Sequence, residues 1–163
     1  MSLKQTPSLV FAAAAAARSA SVPISVHLDH AQDYEQIKYV ADNLPFDSIM
    51  VDMSHYEKED NLVKTRALRD YCHARGITVE AETGRIEGGE DGIVDTGDLE
   101  GMKCFMSERI SHEIAFLNDT IGILTNPEDV EAFIAAGVDF LAPSVGNIHG
   151  DYGPKGPQLD MDR

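Results

Sequence analysis

Short apolar runs alternate with longer amphipathic stretches along this chain. Leu9-Val10-Phe11 and Ala12 to Ala17 predict a helix over residues 8–20, broken at Ser21-Val22-Pro23. Ile24 to Leu28 is rich in β-branched residues and reads as a strand. Asp33 is placed to cap a helix over Tyr34–Leu44, with Ile37, Val40, Ala41 and Leu44 on one face, and Pro45 ends it. Ser48 to Val51 is a second strand. A longer helix is expected over Asp60–Arg75, with Leu62, Val63, Ala67, Leu68, Tyr71 and Cys72 inward and Gly76 as its stop. Ile77 to Glu82 is a third strand, and a glycine-rich loop follows over Gly84–Gly92. Pro127 opens a helix to Ala136, with Thr125 or Asn126 as cap and Gly137 as stop. Val138 to Pro143 is a fourth strand, leading into Val145–Gly150 and a Gly- and Pro-rich tail.

Strand and helix therefore alternate, which predicts an α/β fold with a buried parallel sheet. Val26, Met50 and Thr78 stand at equivalent strand positions and similar spacing. Each strand breaks into chemically capable residues: His27/Asp29/His30, then Asp52/Ser54/His55, then Glu80/Glu82, then Asn147/His149. In a (β/α) barrel such strand ends converge on one mouth, where active sites lie. The rhythm fails once, between Val79 and Leu141, where the interval exceeds twice the repeat. The excess centres on Met102 to Ile121.

Composition narrows the function classes. A chain of 163 residues predicts one domain with a substantial core. A net charge of -15 disfavours nucleic acid and anionic membrane surfaces as partners. Two cysteines, Cys72 and Cys104, make neither a disulfide framework nor a zinc knuckle, and a reducing, cytoplasmic setting is expected. Lys4 and the apolar run after it resemble a secretory leader in outline, but Arg18 follows the alanines directly, and a helix packed on a sheet is the preferred reading. No apolar run approaches the ~20 residues of a membrane-spanning helix.

The candidate chemistry is that of a metal site. His30 and His149, at the ends of strands expected to share a mouth, form a candidate pair of zinc ligands. Glu80 and Glu82 alternate onto one strand face, where neighbouring carboxylates need a cation or donors. Asp52 can join Glu82 around a second cation with oxygen ligands. Glu90, within Gly88-Gly89-Glu90-Asp91-Gly92, suits a lid acid or base. The glycines of Gly146-Asn147-Ile148-His149-Gly150 allow a phosphate or carbonyl oxygen to approach the backbone closely. Each residue also has a plainer reading as a solvated strand end or acidic loop.

In combination these segments resemble the class II, metal-dependent fructose-bisphosphate aldolases, including related ketose-bisphosphate aldolases of fungi. Val26-His27-Leu28-Asp29-His30 is similar to the family's HxDH strand, and Ser48 to His55 to its IMIDGSH strand, with Met53 for the usual glycine. Val79 to Asp91 resembles VEAELGR…GGxED, with Thr83 for leucine and Glu87 for glycine. Gly146 to Tyr152 with Leu159-Asp160 resembles GTxHGxY…LD. The resemblance implies part of a (β/α)8 TIM barrel over 1–163. It implies His30 and His149 as zinc ligands, and Asp52 and Glu82 as holders of a second cation. It further implies Asp29 as proton handler, Glu90 as lid acid/base and Gly150 as a backbone contact to the triose phosphate. His27 is left as supporting structure. The implied activity is reversible zinc-dependent aldol cleavage of fructose 1,6-bisphosphate, or a related ketose bisphosphate, to dihydroxyacetone phosphate and glyceraldehyde 3-phosphate in glycolysis. A phosphorylated sugar substrate and a homo-oligomer come with it.

The pattern also departs from the family. Four strands are found, matching the family's third to sixth, whereas a closed barrel takes about 200–250 residues. The stretch carrying the family's third zinc histidine is not found. An inactive fragment with weak metal binding is therefore the alternative expectation. A metal-dependent hydrolase is disfavoured, because Asp29 stands where such enzymes lead with an HxH strand. Residues 102–121 are expected to be a non-family insertion, because the family pattern runs directly from DLEG through a short loop into TxPE, and codons for Gly101-Met102 and Ile121-Gly122 admit a splice donor and acceptor. An in-frame retained intron would explain them, and transcript sequencing tests it.

Overall fold

Four parallel strands carry the chemistry-bearing part of the chain. The computed structural model describes residues 7–84, 124–147, 149, 152, 154 and 156–162. The expected roles of Glu90 and Gly150, and the expected insertion over 102–121, lie outside the described residues. The chain divides into two units, Met1–Thr83 with Glu128–Ala142, and Gly84–Pro127 with Pro143–Arg163.

In the first unit the strands are β1 (His27–Ala31), β2 (Ser48–Val51), β3 (Thr78–Glu82) and β4 (Phe140–Ala142), in the order β1-β2-β3-β4, all parallel. The helices are α1 (Ser8–Ser19), α2 (Tyr34–Asn43), α3 (Lys58–His73) and α4 (Pro127–Ala136). A parallel sheet puts all C-terminal strand ends on one edge, so the polar residues at those ends gather there.

One face of the sheet is apolar. Ala31, Ile49, Val51, Met53, Ile77 and Val79 pack with Ile37, Val40, Ala41 and Leu44 from α2 and its C-cap, and with Leu68 and Cys72 from α3. Full burial of an aliphatic side chain contributes about 1.5–3 kcal/mol, so this stripe is the main source of the unit's stability. Burial pushes the Cys72 thiol up to about 11, and it behaves as a small hydrophobe. The expected Asp33 cap is present: its Oδ1 accepts the Gln36 backbone N–H at 2.6 Å. Gly76 and Gly137 take positive φ at the ends of α3 and α4, as helix stops do.

Three expectations change. The first strand begins at His27 rather than Ile24, and runs on to Ala31. Asp47 explains the later start, since its carboxylate takes the Val26 N–H at 2.7 Å in place of a strand partner, and Val22 and Ile24 stay exposed. The inward face of α3 is Asn61, Thr65, Leu68 and Cys72, not the row through Val63 and Ala67. The true row follows helical spacing but contains two polar residues, whose hydrogen bonds are made inside the fold. The alanine-rich α1 buries only Val10 and Ala14 and leaves Leu9 and Phe11 exposed.

In the second unit, Thr125 and Ser144 are joined by two 2.8 Å hydrogen bonds, the Thr125 N–H to the Ser144 carbonyl and the Ser144 N–H to Thr125 Oγ1. Asp160 donates its N–H to the Val145 carbonyl at 2.8 Å. Asn147 accepts the Val145 N–H at 2.8 Å. Gly146, with φ of +92°, lies against the Gln158 carbonyl, so its missing side chain accommodates the chain's own tail.

Candidate metal site

The second face of the sheet is polar, and a bulge in β1 completes it. His27 pairs with Ser48 and Leu28 with Ile49, but the next partner of Val51 is Ala31. Asp29 and His30 therefore oppose the single residue Met50. Leu28 and Ala31 both pack toward the helices. The extra residue resets the alternation, and His30 turns to the polar face instead of the core. It does so with φ of 44°, a left-handed conformation that a non-glycine residue rarely takes.

Two tiers of side chains result. In the lower tier, His27 Nδ1 lies 2.8 Å from Ser48 Oγ, and His27 Nε2 lies 3.5 Å from Glu80 Oε2 and 4.0 Å from Asp29 Oδ1. Asp29 is the outermost member, its side chain 68% exposed. In the upper tier, at the strand ends, His30 Nδ1 lies 2.9 Å from Asp52 Oδ2 and 3.6 Å from Glu82 Oε2. One nitrogen or oxygen from each of His30, Asp52 and Glu82 lies within 4.8 Å of the others.

Neighbours fix the upper tier. Gln32 Nε2 donates to Asp52 Oδ2 at 3.0 Å, and the Ser54 N–H and Oγ donate to Asp52 Oδ1 at 3.1 and 2.6 Å. Burial alone would push the Asp52 carboxyl up, but the bonds from His30, Ser54 and Gln32 outweigh it and hold the group below the usual carboxylate range. Burial likewise opposes protonation of His30, yet its bond to Asp52 and the charges of Asp52, Glu82 and Asp29 raise its pKa.

This donor set fits a divalent cation. Asp52 and Glu82 are 2% and 1% exposed, so two carboxylates lie out of water side by side. A protonated His30 supplies one positive charge against their two. An imidazole with two carboxylates is a borderline-hard nitrogen and oxygen set, suited to zinc and similar first-row ions.

A family model described as "Fructose-bisphosphate aldolase class-II" matches residues 2–163. The chain belongs to that family. A Coccidioides immitis protein provisionally named fructose-bisphosphate aldolase is 54% identical over 162 residues, which is 95% of this chain and 47% of the relative. A fructose-bisphosphate aldolase from Streptococcus pneumoniae serotype 4 is 34% identical over 87% of this chain and 39% of its own length. The chain thus spans about half the length, or less, of the curated relatives it matches. Among solved structures, the Coccidioides immitis protein superimposes with a TM-score of 0.77 at 56% identity, over 95% of this chain and 47% of that one. The YdjI aldolase of Escherichia coli K12 gives 0.65 at 26% identity, over 95% and 44%. The expected part-barrel architecture is borne out as a parallel α/β sheet matching about half of an aldolase TIM barrel.

The structure brings together His30, Asp52 and Glu82, which the motif resemblance divides between two cations. Asp29 shares their sheet face one tier down. His149 is half-buried and belongs to the second unit. Gln32, Asn61 and Thr65 were not anticipated. The signal for the latter two was present: they sit four apart, in register with Leu68 and Cys72, on a helix whose inward row should be apolar. No helix among the described residues is long and apolar enough to cross a membrane.

Proposed function

We propose that this chain supplies a cation-holding wall of a class II aldolase site, and that the activity served is reversible cleavage of fructose 1,6-bisphosphate to dihydroxyacetone phosphate and glyceraldehyde 3-phosphate. The observation that carries the reading is the His30–Asp52–Glu82 group, on adjacent parallel strand ends in a chain of this family. Zinc is the cation the reading assigns. When bound, it supplies the Lewis acidity that polarises the substrate carbonyl and stabilises negative charge developing as the carbon–carbon bond breaks.

The residues of the chain take complementary roles. His30, Asp52 and Glu82 hold the cation, and Gln32 and Ser54 keep the Asp52 oxygens oriented. Asp29, exposed on the same face, removes the proton from the substrate hydroxyl whose carbon becomes the aldehyde. The bonding pair of the broken carbon–carbon bond passes toward the polarised carbonyl. Glu90 returns a proton to the carbon left behind, and removes it in the condensation direction. His149 joins the zinc ligands, and the Gly150 backbone meets the phosphate. These last three roles, like that of Asp29, rest on the motif resemblance. The reading extends to a glycolytic place, a cytoplasmic setting and a homo-oligomer, which the family resemblance supports.

The test pairs zinc stoichiometry with an aldol-cleavage assay on the purified 163-residue chain. One divalent ion per chain is expected, lost in Asp52→Asn and Glu82→Gln. Absence of binding in the wild type sinks the proposal. Binding without turnover favours the second reading, weak metal binding without activity.

A further inference from the structure

The inward face of α3 carries a polar relay that ends at the metal site. Asn61 and Thr65 are 2% and 0% exposed, on a row otherwise made of Leu68 and Cys72. Thr65 Oγ1 donates to Asn61 Oδ1 at 3.0 Å, and Asn61 Nδ2 donates to the Glu82 backbone carbonyl at 3.0 Å. Two buried polar side chains cost stability relative to well-packed apolar ones unless fully bonded. The relay also ends at a particular place. Glu82 is the last residue of β3, at its final ladder position with β4 (opposite Ala142) and one residue beyond its last pair with β2, and its carboxylate reaches the His30–Asp52 pair.

From this we infer that Asn61 is a positioning residue for Glu82, with Thr65 orienting the Asn61 amide. The bond clamps the strand-end carbonyl and so fixes the Cα–Cβ direction of Glu82. Asp52 is held through its own oxygens by Gln32 and Ser54. Glu82 is held in addition through its backbone, from the helix behind the sheet. A carboxylate ligand set this way meets the cation preorganised, and loss of such support costs metal affinity about 10–100-fold. The inference rests on the cation-site reading above.

The experiment titrates Co2+ into the metal-free 163-residue chain, reading both affinity and the visible d–d spectrum, with urea unfolding of the same samples as a check on folding. Asn61→Ala is expected to weaken Co2+ about tenfold and alter the spectrum while the folded fraction is unchanged. Thr65→Val keeps the volume and removes the hydroxyl. It is expected to weaken Co2+ several-fold, with Thr65→Ser restoring both affinity and spectrum. If Asn61→Ala does not fold, the Val/Ser pair at residue 65 decides alone. Wild-type affinity and spectrum in the folded variants overturn the positioning role and leave the metal site standing. A wild-type chain that binds no Co2+ overturns the metal site, and the positioning role with it.

Discussion

Asp29 and His30 are adjacent in sequence and yet present their side chains on the same face of the sheet, because together they oppose the single residue Met50. A regular strand would have sent His30 into the helix-facing core, beside Leu28. The bulge instead delivers an imidazole to two buried carboxylates, at the cost of a left-handed backbone at a non-glycine residue.

That strain makes a prediction about stability. Asn tolerates left-handed φ better than most residues, and β-branched Val tolerates it worst. His30→Asn and His30→Val both remove the imidazole, and they differ in how well they take the left-handed backbone and in the Asn amide's capacity to donate to Asp52, two effects of the same sign. Urea unfolding is expected to place His30→Val about 1–2 kcal/mol below His30→Asn. Equal stabilities would mean that the bulge holds His30 without strain.

The bulge also marks where the sequence stopped being legible. The β-branched run into His27-Leu28-Asp29-His30 located the strand, and the parallel α/β arrangement followed from the spacing of such runs. Strict alternation, however, pairs His27 with Asp29 and sets His30 apart, and nothing in the local sequence announces an extra residue. The register is fixed by β2, through Ser48, Ile49 and Val51, which is tertiary information. The same reasoning explains α3. An apolar-only reading of its inward face selects Val63, which is 67% exposed, and passes over Asn61. Only the Glu82 carbonyl makes sense of a buried amide there. The Asp33 cap needed no such partner, because a cap is satisfied within its own first turn, and it was legible.

Asp139 pins the N-terminal side of the sheet and should be visible as a pH dependence. Its Oδ2 accepts the Val79 N–H at 2.7 Å and lies 2.7 Å from His73 Nε2. Burial would raise its pKa, but the Val79 N–H and the His73 ring outweigh that and lower it below the ordinary 3.8. A carboxyl depressed on folding stabilises the fold above its unfolded value, and the stabilisation is lost as pH falls through the folded value. Asp139→Asn removes the charge. The urea midpoint of the wild type is therefore expected to exceed that of Asp139→Asn at pH 6, and the gap to close as the pH falls below 3.8. A gap that stays constant down to pH 2.5 would show that the carboxylate charge contributes nothing.

Gly146 makes a sharper structural prediction, confined to the second unit. Its φ of +92° is a conformation L residues avoid, and a Cβ built there would overlap the Gln158 carbonyl oxygen. Two residues away, Asp160 donates to the Val145 carbonyl at 2.8 Å, so strand exit and tail are stitched together at this glycine. Gly146→Ala adds left-handed strain of about 1–2 kcal/mol, and the clash with backbone cannot be relieved by a side-chain rotation. The tail is the lighter element and should yield first. Native-state hydrogen exchange is expected to show the Asp160 amide losing at least about tenfold protection in Gly146→Ala, while the Val51 amide in the central strand keeps its wild-type rate. Unchanged protection at Asp160 would mean that the tail does not lean on Gly146, and that the glycine serves something other than the chain's own backbone.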